Sequence, residues 1–391
     1  MIKHILAAVL MLMSSVEAAG DTRITTQTLR LTFGPGGSLD SAIACFPSCA
    51  GDNVRLQQFG DAAVVGFGSA HPGPWKQAEN QTDHAYELRF TAPDGASLTW
   101  RIPLQGYRLE LELAGTAQLE LRSGESFRPR DAAGFGTWLE QSRYVLMHDG
   151  DVRQVGFDDT DTVSATVDQW LGFRNRYWAL VAAPPGEITA RLGTTEGSRD
   201  ADIRVEDAAG QWSLYLGPVE PKALAQAGPE LDQLLYAGLW FWLRWICFFL
   251  FHVLAGITSV IPSWGLAIMV LSLVVNILML PLSRIAERFQ QQVNETEARL
   301  APELQRIKKN YKGEVQAAKI LALYKTERVH PLYSLKSMLG VAVVIPVFIG
   351  AFDMLAENIH LLNTGFLWVA DLSRPCLLYT SDAVDDNRLV W

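Results

Sequence analysis

The sequence predicts a multidomain protein, with an all-β sandwich followed by an α-helical membrane domain that carries a cytoplasmic helical hairpin. Three observations predict this class. The first half of the 391 residues contains short runs of alternating apolar residues, the second half contains two long apolar runs, and a basic stretch separates those two runs. A chain of this length usually forms more than one domain. The polar first half and the apolar second half are therefore expected to fold as separate units.

Residues 1–19 have the composition of a targeting segment. Lys3 precedes nine apolar residues, and small residues follow at Ala18 and Ala19. An apolar run this short is typical of a secretory signal peptide, and the alternative is an uncleaved N-terminal anchor. Either interpretation places the following residues outside the cytoplasm.

Residues 20–218 read as one β-sandwich domain. Gly, Pro, Asp and Asn interrupt short alternating runs at a spacing of about 8 to 12 residues, which is typical of antiparallel sheets. The clearest expected strands cover residues 25–33, 84–91, 98–102, 107–113, 177–182 and 211–216.

The β domain carries no recognisable catalytic or cofactor motif, so we predict that it is not an enzyme and that it needs no cofactor or metal. Its histidines at 71, 84 and 148 have no triad or ligand spacing. The acidic run Asp158, Asp159 and Asp161 offers calcium ligands but lacks the twelve-residue loop pattern. Solvated loop carboxylates are the favoured interpretation.

Cys45 and Cys49 lie four residues apart in a proline-containing turn. On the oxidising side of a membrane this spacing favours a local disulfide. A redox-active or metal-binding pair is the alternative, and no second cysteine pair accompanies it.

Charge predicts the orientation of the chain. Residues 20–237 carry 18 basic against 29 acidic side chains, a balance of −11, whereas residues 283–336 carry 11 against 6, a balance of +5. Basic loops stay on the cytoplasmic side, so residues 284–335 are expected to face the cytoplasm. They are predicted to form two helices separated by a turn at residues 310–313. Their basic face is either solvated or contacts anionic lipid, through Arg299, Arg306, Lys308, Lys309 and Lys312.

Residues 219–261 are predicted to be a linker and an interfacial amphipathic helix beginning near residue 234. The segment is rich in Trp and Phe but also contains Arg244 and His252, and aromatic residues next to charges favour the membrane interface. An additional crossing here would also move the basic loop to the outer side.

Two transmembrane helices are predicted, at residues 262–283 and 336–359. Ser272 and Asn276 lie four residues apart and share one helix face, which Ser283 continues, while the second apolar run contains Asp353. Polar side chains at membrane depth line a substrate-filled cavity or bond to a neighbouring helix. Asp353 either lines the same cavity or reaches towards the interface.

Eight motifs in this order resemble the YidC/Oxa-type membrane protein insertases, in the bacterial form with a large periplasmic domain. Three lie in the β domain and five in the membrane part: GPGGSLDSA (34–42), WLGFRNRYWALVAAP (170–184), LYLGPVEPKAL (214–224), SWGLAI (263–268), LPLS (280–283), TERVHPL (326–332), IPVFIGAFDML (345–355) and FLWVADLS (366–373).

The resemblance implies a periplasmic β-supersandwich and a multi-pass protein of the bacterial inner membrane. It implies insertion and folding of nascent membrane proteins through a hydrophilic groove, without nucleotide hydrolysis. The implied partners are client proteins and lipids, with the Sec translocon and the ribosome as further candidates and no nucleic acid as a specific ligand. The groove would be formed by Ser272, Asn276, Ser283 and Asp353. The alternatives are a membrane-anchored periplasmic module that binds carbohydrate or protein, and a partial subunit that lines a channel with a partner.

This sequence departs from the family pattern at two positions and at its end. Asn276 stands where the family has a basic groove residue, and Asp353 stands where an aromatic residue is usual. Residues 360–375 are expected to be a periplasmic segment. Residues 376–391 do not resemble the family and cannot span a membrane, so we interpret them as a C-terminal truncation or foreign sequence.

Overall fold

The structure is a computed structural model, and it describes residues 21–51, 54–60, 63–68, 75–115, 118–127, 140–157, 164–194, 200–228, 230–326 and 339–374. Within these ranges the chain forms two compact units. One comprises the residues before Leu239 together with those from Ala356 onwards, and the other is Leu239–Leu355. The proposed signal segment, the acidic run at 158–161 and the tail at 376–391 lie outside the described residues.

The first unit is built from strands β1 to β18. In chain order they are Thr22–Thr25, Leu29–Phe33, Leu39–Phe46, Arg55–Phe59, Val65–Phe67, Lys76–Gln81, Ala85–Thr91, Ser97–Pro103, Arg108–Ala114, Gln118–Arg122, Arg143–His148, Asp151–Gly156, Ser164–Val167, Leu171–Arg174, Trp178–Ala183, Ile188–Thr194, Ala201–Glu206 and Gly210–Pro218.

The strands form two sheets in which every described pairing is antiparallel. The first sheet has the order β1-β2-β3-β5-β10-β17-β16-β13, with β4 paired to β3. The second has the order β12-β11-β14-β15-β18-β9-β8-β7-β6. Side chains alternate in burial along the strands, as in β9, where Leu109, Leu111 and Leu113 are buried. This alternation follows from the period of two in a strand, and it confirms the predicted β-sandwich.

Buried polar tips join the two sheets across the core. Trp100 Nε1 donates to the carbonyl oxygen of Gly37 (2.9 Å), Tyr107 Oη to that of Cys45 (2.7 Å), and Tyr144 Oη to that of Gly193 (2.6 Å). Each donor lies on the second sheet or, for Tyr107, immediately before its strand β9, and each acceptor lies on the first sheet or in its turns. These bonds satisfy the only polar atoms of large aromatic side chains, which removes the cost of burying them.

The expected strand at residues 25–33 is wrong in its first part, because β1 ends at Thr25 and β2 begins only at Leu29. β1 and β2 pair as a hairpin whose turn begins at Thr26. The Thr26 Oγ1 atom accepts a hydrogen bond from the Leu29 backbone N–H (3.0 Å), and the Thr26 N–H donates to the Leu29 carbonyl (2.8 Å). Local bonding by a threonine side chain thus competes with an extended strand.

The helices α1 to α5 are Pro221–Ala227, Phe241–Val260, Trp264–Asn310, Gly313–Thr326 and Leu339–Ala356. Short 3₁₀ turns occur at Glu125–Phe127, Leu231–Leu234 and Ile359–Leu361. Helix α1 is capped by the side chain of Glu220, which accepts a hydrogen bond from Ala223 N (2.8 Å). The predicted helix start near residue 234 is wrong, because a 3₁₀ turn occupies 231–234 and α2 begins at Phe241.

Two of these helices, α2 and α3, are long and apolar enough to cross a membrane, and Val344–Ala356 within α5 is a shorter apolar helix. The 47 residues of α3 continue without interruption from the apolar run through Pro281 and Pro302 into the charged stretch. The transmembrane segment predicted to end at residue 283 and the first helix of the predicted hairpin are thus one continuous helix, and the membrane boundary at 283 stays a prediction. A turn separates the two helices at 310–313 as predicted, since α3 ends at Asn310 and α4 begins at Gly313.

Candidate functional site

The apolar part of α3 carries the polar positions expected to form a groove. Ser272 and Asn276 occupy one helix face, and the Asn276 amide Nδ2 donates to the backbone carbonyl of Ser272 (2.7 Å) and lies 3.5 Å from its Oγ. Both side chains are exposed. The amide therefore bonds within its own helix, which lowers the cost of placing it in hydrocarbon without removing it from the helix surface.

Pro281 adds a further polar atom to this part of α3. Proline lacks a backbone N–H, so the carbonyl of Ile277, four residues earlier, loses its helical donor. Ile277 lies next to Asn276, and half-buried Ser283 follows two residues after the proline. The segment from Ser272 to Ser283 is thus more polar than its hydropathy suggests.

Asp353 lies on α5, three residues before the end of that helix, and is half-buried. Of the four predicted groove residues, the structure brings Ser272 and Asn276 into direct contact. Ser283 follows on the same helix, and Asp353 comes from a different one. Convergence of all four on one cavity stays a prediction.

Helix α5 packs closely against α2 at a glycine. A Cβ atom on Gly350 would lie only 2.7 Å from Cγ2 of Ile246. Small residues allow helix backbones to approach at such points, which is a common device of membrane helix pairs. Helix α2 also buries Leu243, Cys247, Leu250 and Leu254, whereas Trp240, Phe241 and Trp245 near its start are exposed.

The basic side chains predicted for the hairpin all lie at its surface. Arg299, Arg306, Lys308, Lys309 and Lys312 are exposed, and Arg306 pairs with Glu303 (3.4 Å). Lys308 and Lys309 occupy the last turn of α3, where cations interact favourably with the helix dipole. Their contact with lipid or client stays a prediction.

In the β domain, Cys45 and Cys49 form a disulfide with Cα atoms 5.0 Å apart. The structure also brings His148, Asp149 and Asp168 together, with potential ligand atoms within 4.8 Å of one another. The His148 Nδ1 atom lies 3.2 Å from Asp168 Oδ1. Sequence spacing did not reveal this group, because Asp168 follows His148 by twenty residues and reaches it through strand pairing.

A charged cluster lies on the first sheet. Arg204 Nε contacts Glu120 Oε1 (3.2 Å) and Asp202 Oδ2 (3.1 Å), and Arg122 contacts Glu120 Oε2 (3.1 Å). Burial raises the pKa of the Asp202 carboxyl above its usual value, against the opposing effect of Arg204. The charges of this cluster are paired with one another.

Three arginines of the β domain hold the segment that follows α5, and sequence reasoning missed them. The Arg55 guanidinium donates to the carbonyls of Leu362 (2.8 Å) and His360 (2.8 Å) and to Thr364 Oγ1 (2.9 Å). Arg176 Nε donates to the carbonyl of Ala356 (2.6 Å).

The third arginine is Arg174, which is buried and forms an ion pair with Glu357 (2.9 Å). It also donates to the carbonyl of Leu234, while the other oxygen of Glu357 accepts from Tyr236 N (3.1 Å). The sequence signal for these contacts was the presence of two arginines inside the otherwise apolar motif at 170–184. Charges placed at the end of a buried strand require partners.

His360 belongs to the same arginine-held segment. Its ring packs edge-on against Phe46 (5.1 Å between centroids). Burial, together with the positive charges of Arg55 and Lys222, lowers its pKa to about 4. The ring is therefore neutral at physiological pH.

Two packed antiparallel sheets followed by apolar helices with polar positions define a membrane protein with a large β domain. The YidC periplasmic domain model matches residues 65–253, and the model described as 60Kd inner membrane protein matches residues 256–384. The chain belongs to the YidC family, as the motifs suggested.

Curated relatives agree across both units. The chain is 24% identical to a membrane protein insertase YidC of Marinobacter nauticus, over 83% of this chain and 60% of the relative. It is 24% identical to that of Bordetella avium, over 91% of this chain and 70% of the relative. The match to the protein of a Janthinobacterium species is 30% identical and covers 56% of this chain.

The matches span 60% of the length of the Marinobacter relative and 40% of that of the Janthinobacterium relative. Among solved structures, an active YidC insertase with its first transmembrane domain resolved matches 96% of this chain and 83% of its own, at 14% identity and a TM-score of 0.34.

Proposed function

We propose that this chain helps to insert and fold proteins in the bacterial inner membrane, as a multi-pass protein with its β domain in the periplasm. The observation that carries the proposal is the match of two successive family models, one to the β domain and one to the apolar helices with their polar positions. Relatives named as insertases support it. They do not favour the alternative of a membrane-anchored carbohydrate- or protein-binding module.

In the proposed mechanism, α3 offers a polar strip to a client segment within the membrane. The polar part of the client would form hydrogen bonds to Ser272, Asn276 and the Ile277 carbonyl. The strip would be extended by Ser283 and Asp353. A charged client residue then avoids part of a penalty of about 3 kcal/mol at the bilayer centre. Only binding and solvation are involved, so no nucleotide hydrolysis or covalent step is required.

The proposed partners follow from the same mechanism. Nascent membrane proteins would be the clients, and the exposed basic hairpin would meet anionic headgroups or approaching client chains. The Sec translocon and the ribosome are included as proposed partners only because the chain belongs to this family.

The test is insertion of a single-span client by the full chain in proteoliposomes, measured by protease protection. Asn276→Leu should lower protection several-fold, because the client loses its polar partner. The matched control is Asn276→Leu combined with Val274→Asn, which moves the amide to the opposite helix face and keeps the composition nearly constant.

Failure of the moved amide to restore insertion would support a positioned groove residue. Restoration by the moved amide would reject the role of this helix face. No insertion above protein-free liposomes by the unmodified chain would overturn the proposed function.

A further inference from the structure

A tight turn at residues 366–369 presents two large apolar side chains to the outside. Phe366 N donates to the carbonyl of Val369 (2.8 Å), and Val369 N donates to that of Phe366 (2.9 Å). Leu367 and Trp368 form the apex and are 75% and 76% exposed. Leu367 has φ 53°, a left-handed conformation in which Asn or Gly is usually found. The turn thus combines an unfavourable backbone conformation at Leu367 with exposed apolar side chains at its apex.

Hydrogen bonds hold the residues on both sides of the turn in place. The Asp371 carboxylate accepts hydrogen bonds from Asn363 N (3.1 Å), Ser373 N (2.9 Å) and Ser373 Oγ (2.7 Å). Leu372 N donates to the carbonyl of Thr364 (2.9 Å), whose hydroxyl accepts from Arg55. The apex is therefore fixed to the β domain and does not belong to a loose loop.

The apex follows an apolar helix closely along the chain. Apolar α5 ends at Ala356, eleven residues before Leu367, so the separation between these two residues is at most about 36 Å. Tryptophan concentrates at the membrane–water interface. Arg374 pairs with Asp371 (3.3 Å), and its side chain is 75% exposed, so its guanidinium can also contact a lipid phosphate.

We propose that the Leu367–Trp368 turn inserts into the interface of the lipid bilayer and anchors the β domain there. The partner is a lipid surface, because the apex is apolar, contains Trp and follows a membrane helix. Anchoring of this kind does not depend on whether the chain inserts clients, so it goes beyond the proposed function.

The test uses the full chain in phosphatidylcholine proteoliposomes, with Cys247→Ala and Cys376→Ser as background. Trp368→Cys carries an environment-sensitive nitrobenzoxadiazole probe, which is quenched by lipids with a doxyl group at carbon 5 or carbon 12 and by aqueous iodide. The matched control is Asp149→Cys, at an exposed turn position that also has positive φ (50°).

We expect carbon-5 quenching at 368 to exceed that at 149 by at least about threefold, with shielding from iodide. Equal quenching at the two positions, or full iodide access at 368, would overturn the proposal. A shielded probe that no doxyl lipid quenches would overturn it too, because the turn would then be covered by protein.

A second variant separates the role of the side chains from folding of the turn. Leu367→Asn with Trp368→Gly installs a sequence that favours a two-residue turn with positive φ. A probe on Ala370→Cys should then lose lipid quenching several-fold. Unchanged quenching would show that the apolar apex does not hold the turn at the membrane.

Discussion

The β domain and the apolar helices treat polar groups in opposite ways. In the β domain, several buried polar atoms have partners from distant parts of the chain, as Trp100 has in Gly37 and Arg174 has in Glu357. On α3, the Asn276 amide bonds to the preceding turn of its own helix and stays at the surface. Long-range partners fix one arrangement, whereas a local partner leaves the helix face available to a visiting chain.

The largest expected effect tests the long-range partners. Arg174→Met should lower the free energy of unfolding by about 3 kcal/mol, because it leaves the Glu357 carboxylate and the Leu234 carbonyl without their buried donor. The measurement is the urea midpoint of the full chain in detergent. Arg191→Met, which removes an exposed pair with Glu206, is the control and should cost under about 0.5 kcal/mol. Similar losses of unfolding free energy in both variants would show that the buried long-range partners of Arg174 stabilise the fold no more than an exposed ion pair does.

A pH titration tests how much the buried surroundings of His360 in the β domain contribute to stability. Its pKa is about 4 in the folded chain and about 6.5 when unfolded, so between these values the unfolded state binds more protons. The stabilisation is complete above pH 6.5 and is lost as the pH falls towards 4, by up to about 3 kcal/mol. His360→Gln should flatten this part of the unfolding profile relative to the unmodified chain. Parallel profiles for the two proteins would exclude His360 as the source.

On the helix side, Asn276→Arg tests whether the exposed face receives clients. A cation about 4 Å from a client carboxylate contributes at most ~4 kcal/mol at an effective dielectric of ~20, before desolvation is subtracted. We expect a net gain of roughly tenfold in insertion of acidic-tailed clients, measured by protease protection. A neutral-tailed client is the control, and an equal gain for both clients would argue against charge attraction.

The smallest expected effect concerns a local partner inside the β domain. Glu220→Ala removes the cap of α1 and should cost about 1 kcal/mol in the same urea assay. Glu220→Gln keeps an acceptor oxygen and should cost less. If the two variants lost equal stability, the negative charge rather than the hydrogen bond would account for the effect.

Sequence patterns predicted the sandwich because strand burial has a local period of two residues. The same reasoning placed Ser272 and Asn276 on one face, since residues four apart share a helix face. It did not reveal that one helix continues from the apolar run into the charged stretch, because hydropathy reports the expected surroundings of a helix and not the course of its backbone. Helix α3 runs through Pro281 without interruption.

The arginine contacts could not be predicted because their partners are far apart in sequence. Arg55 and Leu362 are separated by 307 positions, and no local pattern links them. The exposed turn at 366–369 was equally hidden, since Leu367 and Trp368 read as part of an apolar motif. Only the pairing of Phe366 with Val369 shows that both side chains point away from the fold.

The unbroken course of α3 has a mechanical consequence. At 1.5 Å per residue its 47 residues measure about 70 Å, more than twice the thickness of the hydrocarbon layer. A tilt of about 10° at Pro281 would swing Asn310 through roughly 8 Å. Bending at the proline would thus let the charged end of the helix move while the amide-bearing end on the other side of Pro281 keeps its position.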